Sequence, residues 1–244
     1  DVLSTFVVII GVKISNKKAD SDHPYGHERI ECVSAIILSG MLFIIGALIG
    51  INGIKNVTNS SNLVMPGVLA LIASIISIIS KEAMYQYTIR VSKKINSAAL
   101  KADAWHHRSD ALSSIGSFIG ILGSRLGFKI FDPLASVIIS LCIIKVSIDI
   151  FKDAIDKMVD KSCDKEVIDK VISVIEKNES VKNIDDIKTR QFGNKAYVDV
   201  EISVDENLLL KDAHKVAEEI HDSVENEINI VKHCMVHVNP YEVK

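Results

Sequence analysis

At 244 residues, 48% hydrophobic and with a mean hydropathy of +0.26, the chain is too apolar for an ordinary soluble domain; at 24% charged it is too polar to lie wholly in a membrane. A net charge of −3 is uninformative about nucleic acid, but no basic stripe appears and no nucleic-acid partner is expected. The four cysteines, Cys32, Cys142, Cys163 and Cys234, form no C-x-x-C pair and no disulfide spacing, which fits a reducing compartment.

The apolar residues are concentrated in the first part of the chain and the charges in the last. Two domains are expected: a membrane domain over 1–160 and a soluble domain over 161–244. The chain opens with Asp1 inside an apolar run, Val2 to Val12, about half of what a span needs. This reads as the second half of a helix whose start is absent. A polar loop, Ser15 to His27, follows and holds Asp20, Asp22, His23 and His27. Cys32 to Ile54 is uncharged and long enough to span, and Asn56 to Asn62 reads as a turn. Leu63 to Ser80 is the next apolar run, continuing amphipathically through Lys81, Tyr85 and Arg90 towards Lys94. Ser97 to Leu126 carries Asp103, His106, His107 and Asp110 into an otherwise uncharged helix. Pro133 to Phe151 is the last span, with Asp132 as a helix cap. The total is about four and a half spans. Lys13, Lys17 and Lys18, then Arg90 to Lys101, then Lys152 to Lys161 mark alternate loops as basic, which puts the soluble domain and the Asp20–His27 loop in the cytoplasm.

His106 and Asp110 are four residues apart and share a helix face. Each ionisable group at mid-bilayer costs on the order of 2.5–3.5 kcal/mol to insert, and such groups mark pathways or binding sites. Asp1 precedes Ser15, and Asp110 follows Ser97, by about 20 Å of helix each. Both carboxylates therefore reach a similar depth from the cytoplasm, with His106 one turn shallower. A nitrogen-and-oxygen ligand set of this kind suits a divalent cation, and a fourth ligand would precede Asp1. Asp103 and His107, one turn nearer the surface, read as a solvated helix start.

The soluble part reads α-β-β-α-β: a helix over Asp164–Lys177, strands over Ile184–Gln191 and Tyr197–Val204, a helix over Lys211–Glu227, and a strand over Val231–Asn239 ended by Pro240. Val198, Val200, Ile202 and Val204 alternate with Asp199, Glu201 and Ser203. Cys234 reads as a core residue; His221 and His233 read as surface histidines.

Three stretches carry a family resemblance: Asp22-His-Pro-Tyr-Gly-His27-Glu-Arg-Ile-Glu31, His106-His-Arg-Ser-Asp110-Ala-Leu-Ser-Ser114, and Thr189-Arg-Gln191. With them the chain resembles the cation diffusion facilitators, metal exporters with six membrane helices and a cytoplasmic dimerisation domain. The resemblance implies a membrane all-α helical bundle followed by a small α/β ferredoxin-like (αββαβ) cytoplasmic domain, here without the first helix and the front of the second. It implies a transport site of Asp1, His106 and Asp110, and a loop site of Asp20, His23 and His27. It further implies a cytoplasmic site of His214, His237, Glu201 and Asp185, with Asn239 where relatives carry a bridging carboxylate. Arg29 and Asp160 match an inter-subunit charge lock.

The function so implied is export of a divalent metal across the plasma membrane by a homodimer, Zn(II) first, with protons as counter-ion. Zn(II) is the substrate, and no organic cofactor is expected. Mn(II) or Fe(II) export is the rival within the class, and a membrane-anchored metal sensor or assembly protein the rival outside it. An enzyme is not expected: the chain has no nucleophile–base pair, phosphate loop or H-E-x-x-H motif.

Overall fold

The computed structural model describes residues 2–58, 68–125 and 131–241. Asp1, the end of the turn expected at 56–62, the start of the run from Leu63 and the side chain of Asp132 lie outside the described residues. The chain packs as two units, Asp1–Ile155 and Asp156–Lys244.

Among the described residues, five helices build the first unit, the last running past its boundary: α1 Val2–Ser15, α2 Ile30–Thr58, α3 Val68–Ile95, α4 Ala98–Arg125 and α5 Phe131–Met158. Their burial runs opposite to that of a water-soluble bundle. Large apolar side chains such as Phe6, Ile44, Leu48, Ile76 and Leu141 face outward, while small or polar ones such as Ser4, Ala35, Ser39, Ala102 and Ser109 are buried. Lipid solvates the former, and the latter let helices approach closely. Several of the buried serines cost little here because the hydroxyl donates to a carbonyl three or four residues back, as in Ser34 to Ile30, Ser39 to Ile36 and Ser140 to Val137.

Among the described residues, two stretches, Ile30–Val57 and Pro133–Met158, are long and apolar enough to cross a membrane by composition alone. The sequence pointed to four such spans. Helices α3 and α4 have the length, 28 residues each, but carry ionisable groups along it. These two pack against each other more extensively than any other helix pair among the described residues, and they bury polar groups between them. Their hairpin is tight. Asn96 takes a left-handed φ of 53°, which asparagine tolerates, and the Ser97 amide donates to the Ser92 carbonyl at 3.0 Å. Ser97 then caps α4, its Oγ accepting from the Leu100 amide at 3.1 Å.

In the second unit, α6 (Lys165–Ile175) and α7 (Leu210–Glu227) pack with a three-stranded sheet of β1 (Asn183–Phe192), β2 (Lys195–Asp205) and β3 (Val231–Tyr241). The order is β1-β2-β3, antiparallel then parallel, so β2 is central and both neighbours are edges. Val198, Val200, Ile202 and Val204 enter the core with Val171, Ile175, Ile220, Val224 and Cys234. Burial, with the nearby Glu225 and Asp199 charges, pushes the Cys234 thiol up to about 12. Strand β3 runs through Pro240, which was expected to end it. On an edge strand the missing N–H need not break a ladder. Thr189 and Gln191, on one face of β1, fasten the segment ahead of α6: Thr189 Oγ1 accepts from the Cys163 amide at 3.0 Å, and the Gln191 amide donates to the Lys161 carbonyl at 2.8 Å.

Candidate metal centre

Helix α4 is the element that meets α1, α2 and α3. On it Asp103, His106, His107, Asp110, Ser114 and Ser117 fall within an arc of about 100°, one continuous polar stripe. His106 is buried, 6% exposed. One turn deeper, the Asp110 carboxylate meets the Lys81 ammonium of α3 at 3.1 Å. The next turn repeats the pairing, with Ser114 Oγ 2.8 Å from Ser77 Oγ. Four residues along α3 thus match four in the opposite direction along α4. A third layer is aromatic: Tyr85 and Trp105 pack edge to face at 5.6 Å, and the Arg108 guanidinium lies over both rings, 4.4 Å from Tyr85 and 5.5 Å from Trp105.

Lys81 was missed as a site residue because it reads as the start of a helix leaving the membrane. The legible signal was spacing: Ser77 and Lys81 form an i, i+4 pair, as do Asp110 and Ser114. The pair Asp103 and His107 also differs from expectation. Both are buried, with Nε2 to Oδ2 at 3.5 Å, and Asp103 Oδ1 and His107 Nδ1 have no hydrogen-bond partner among the described residues. The stripe therefore presents an imidazole, a carboxylate and two further buried polar atoms on one helix. Asp1, the ligand expected from a second helix, lies outside the described residues.

The loop between α1 and α2 gathers Asp20, His23 and His27. Asp20 Oδ1 accepts from the His23 amide at 2.9 Å, and His27 Nε2 lies 3.5 Å from Asp20 Oδ2. The two imidazoles sit with centroids 4.4 Å apart, and Gly26 supplies the turn with φ 101°. Three ligand atoms fall within 4.8 Å of one another. Lys17, 2.7 Å from Asp20, holds that carboxyl well below the usual range, assisted by the His23 amide.

The cytoplasmic residues are less gathered. Glu201 and His237 are register partners on β2 and β3, but exposed His214 sits on α7 with Nε2 3.4 Å from Glu218. Asp185 is engaged by hydrogen bonds from Ser203 Oγ (2.6 Å), Asn239 Nδ2 (3.0 Å) and Asn183 Nδ2 (2.7 Å), led by Ser203 in holding its carboxyl low. No three of these four residues bring ligand atoms within 4.8 Å of one another. Asn239 donates to Asp185 where a carboxylate would have repelled it. Arg29 belongs to the first unit and Asp160 to the second; Asp160 takes φ 60° just past the end of α5, where the Lys161 amide closes back on the Asp156 carbonyl at 3.0 Å. Among the described residues the other group with three clustered ligand atoms is His221, Glu225 and His233, two of which were read as surface histidines.

Residues 1–159 match the family model described as the cation efflux transmembrane domain, and 163–241 match that of the cation efflux protein, cytoplasmic domain. The manganese efflux system protein MneP of Bacillus subtilis (strain 168) is 35% identical over 248 residues, covering 99% of this chain and 83% of that protein. The magnetosome protein MamB of Magnetospira sp. (strain QH-2) is 32% identical, covering 100% of this chain and 83% of its own length. Among solved structures, a nickel form of the MamM CTD is 20% identical with a TM-score of 0.32, covering 32% of this chain and 100% of that one.

Proposed function

This chain belongs to the cation diffusion facilitator, or cation efflux, family of membrane-embedded exporters of divalent metals, transporters rather than enzymes, and from that premise we propose how its own residues take up the ion. The metal is held by His106 and Asp110 on α4, with Asp1, immediately ahead of α1 in the chain, as a third ligand. The observation that carries this reading is the Asp110 carboxylate lying one turn from buried His106 and already occupied by a cation, Lys81. A site that holds an ammonium can exchange it for a divalent ion of higher charge density. On release, Lys81 returns to Asp110 and spares the bilayer an uncompensated carboxylate. Protons entering from the far side are the proposed counter-ion, because a carboxylate and an imidazole bind either protons or metal. Asp20, His23 and His27 form a proposed cytoplasmic loop site, and the working unit is proposed to be a homodimer.

The metal is the finer question. The imidazole in the α4 pair favours Zn(II), since imidazole suits zinc and an all-oxygen set suits manganese. The printed name of MneP favours Mn(II) as a second reading. Metal flux into vesicles carrying the protein, measured for both ions, decides between them. Asp110→Ala and His106→Ala are each expected to reduce flux by at least tenfold; flux unchanged in either would overturn the site.

A further inference from the structure

We infer that His221, Glu225 and His233 form a further cation site, in the second unit and distinct from the loop site, that takes a borderline divalent metal of the Zn(II) class. His221 and Glu225 are one turn apart on α7, and His233 lies at the start of edge strand β3, reached by the short turn after Glu227. The Glu225 carboxylate is the centre. Its Oε1 lies 3.3 Å from His221 Nε2 and 3.1 Å from His233 Nδ1, and all three ligand atoms fall within 4.8 Å. Ligands bound to zinc at about 2.0–2.1 Å and tetrahedral angles stand about 3.3–3.4 Å apart. Both imidazole–carboxylate pairs therefore stand close to the spacing an ion would require.

The hydrogen bonds set the tautomer of His221. His221 Nδ1 is 2.6 Å from the Cys234 carbonyl, which can only accept, so that nitrogen carries the proton. In the neutral ring, Nε2 is then a bare lone pair aimed at a carboxylate oxygen. These two atoms, 3.3 Å apart, can take either a proton or a metal ion between them. The same backbone residue also orients the carboxylate, since the Cys234 amide donates to Glu225 Oε1 at 3.0 Å. The backbone of one residue thus positions two donors, an outer-layer arrangement typical of metal sites. His233 is steadied by ring contacts with His221 (5.4 Å) and Tyr197 (6.2 Å). His221 and His233 line an open groove with His214, Glu218 and Asp222, so water can complete the coordination. Two imidazoles and one carboxylate suit Zn(II), Ni(II) or Co(II) better than Mg(II) or Ca(II).

The test is binding, without any gradient, so its outcome is independent of the transport reading. Zn(II) is titrated by equilibrium dialysis into the whole chain in detergent, in an Asp110→Ala background that removes the membrane pair. His221→Asn keeps an N–H for the Cys234 carbonyl and removes Nε2. His233→Phe keeps a ring against Tyr197 and removes both nitrogens. Glu225→Gln keeps an acceptor for the Cys234 amide. Each variant is expected to lose one zinc equivalent, or to bind it more weakly by at least about tenfold, the lower end of what losing an outer partner costs. Added Zn(II) should raise the melting temperature of the background protein, and this rise should shrink in each variant. The same stoichiometry and affinity in two of the three variants would overturn the site, whatever the third does.

Discussion

Lys81 and Asp110 sit 3.1 Å apart with 18% and 29% of their side chains exposed, so each charge depends on the other more than a surface pair does. Lys81→Met keeps most of the stem and removes the charge. In metal-free protein it is expected to lower stability by about 1–3 kcal/mol, below the 3–5 kcal/mol of a fully buried pair because Asp110 keeps some access to solvent. The same substitution should tighten Zn(II) binding, since the resident competitor is gone. Melting curves with and without zinc, together with the Lys81→Met/Asp110→Asn double variant, read out both effects. Weaker metal binding in Lys81→Met would show that the lysine assists rather than competes. Sequence alone showed His106 and Asp110 as a pair, because i, i+4 spacing needs only a helix. It could not show Lys81 opposite Asp110, because that depends on how α3 and α4 are aligned. The pair Asp103 and His107 illustrates the same limit: spacing put them on one face, and only packing made that face an interior one.

Helix contacts made through small residues are where the elements are specified. Gly46, Gly50 and Gly53 of α2 face α5. A Cβ on Gly46 would lie 2.9 Å from Ile143 Cγ2, and one on Gly53 would lie 3.2 Å from the Pro133 carbonyl. Gly46→Leu is therefore expected to force α2 and α5 apart and cost about 1–3 kcal/mol, as overpacking of a tight contact does. Thermal unfolding of the detergent-solubilised protein measures it; a leucine accepted without loss would mean that the helices part freely. Element positions were largely legible from the sequence. The uncharged run Cys32–Ile54 became the middle of α2, and the alternation from Tyr197 to Val204 became the central strand. The boundaries were less so. Pro240 reads as a stop, but sheet order puts it on an edge, and order is not written in local pattern. The Thr189-Arg-Gln191 motif was recognisable as a family mark; its physical task, tethering the segment ahead of α6, appeared only with the hydrogen bonds.

For the whole molecule, the outward display of Phe6, Ile44, Leu48 and Leu141 over a small-residue interior fits a lipid-solvated bundle, and the second unit has the conventional apolar core. A homodimer should show in detergent as a protein mass twice that of the 26.8 kDa chain, measured by light scattering with the detergent contribution subtracted. A mass of one chain at micromolar concentration would contradict the proposed assembly. By itself the sequence determined the division into membrane and soluble parts, the class of each, and the imidazole and carboxylate on one membrane helix. These follow from hydropathy and helical period, which are local. Tertiary structure alone decided that Lys81 neutralises Asp110, that Asp103 and His107 are buried, and that His221, Glu225 and His233 converge while His214, His237, Glu201 and Asp185 do not. Each of those depends on the register between elements distant in the chain, set by packing that no single segment encodes.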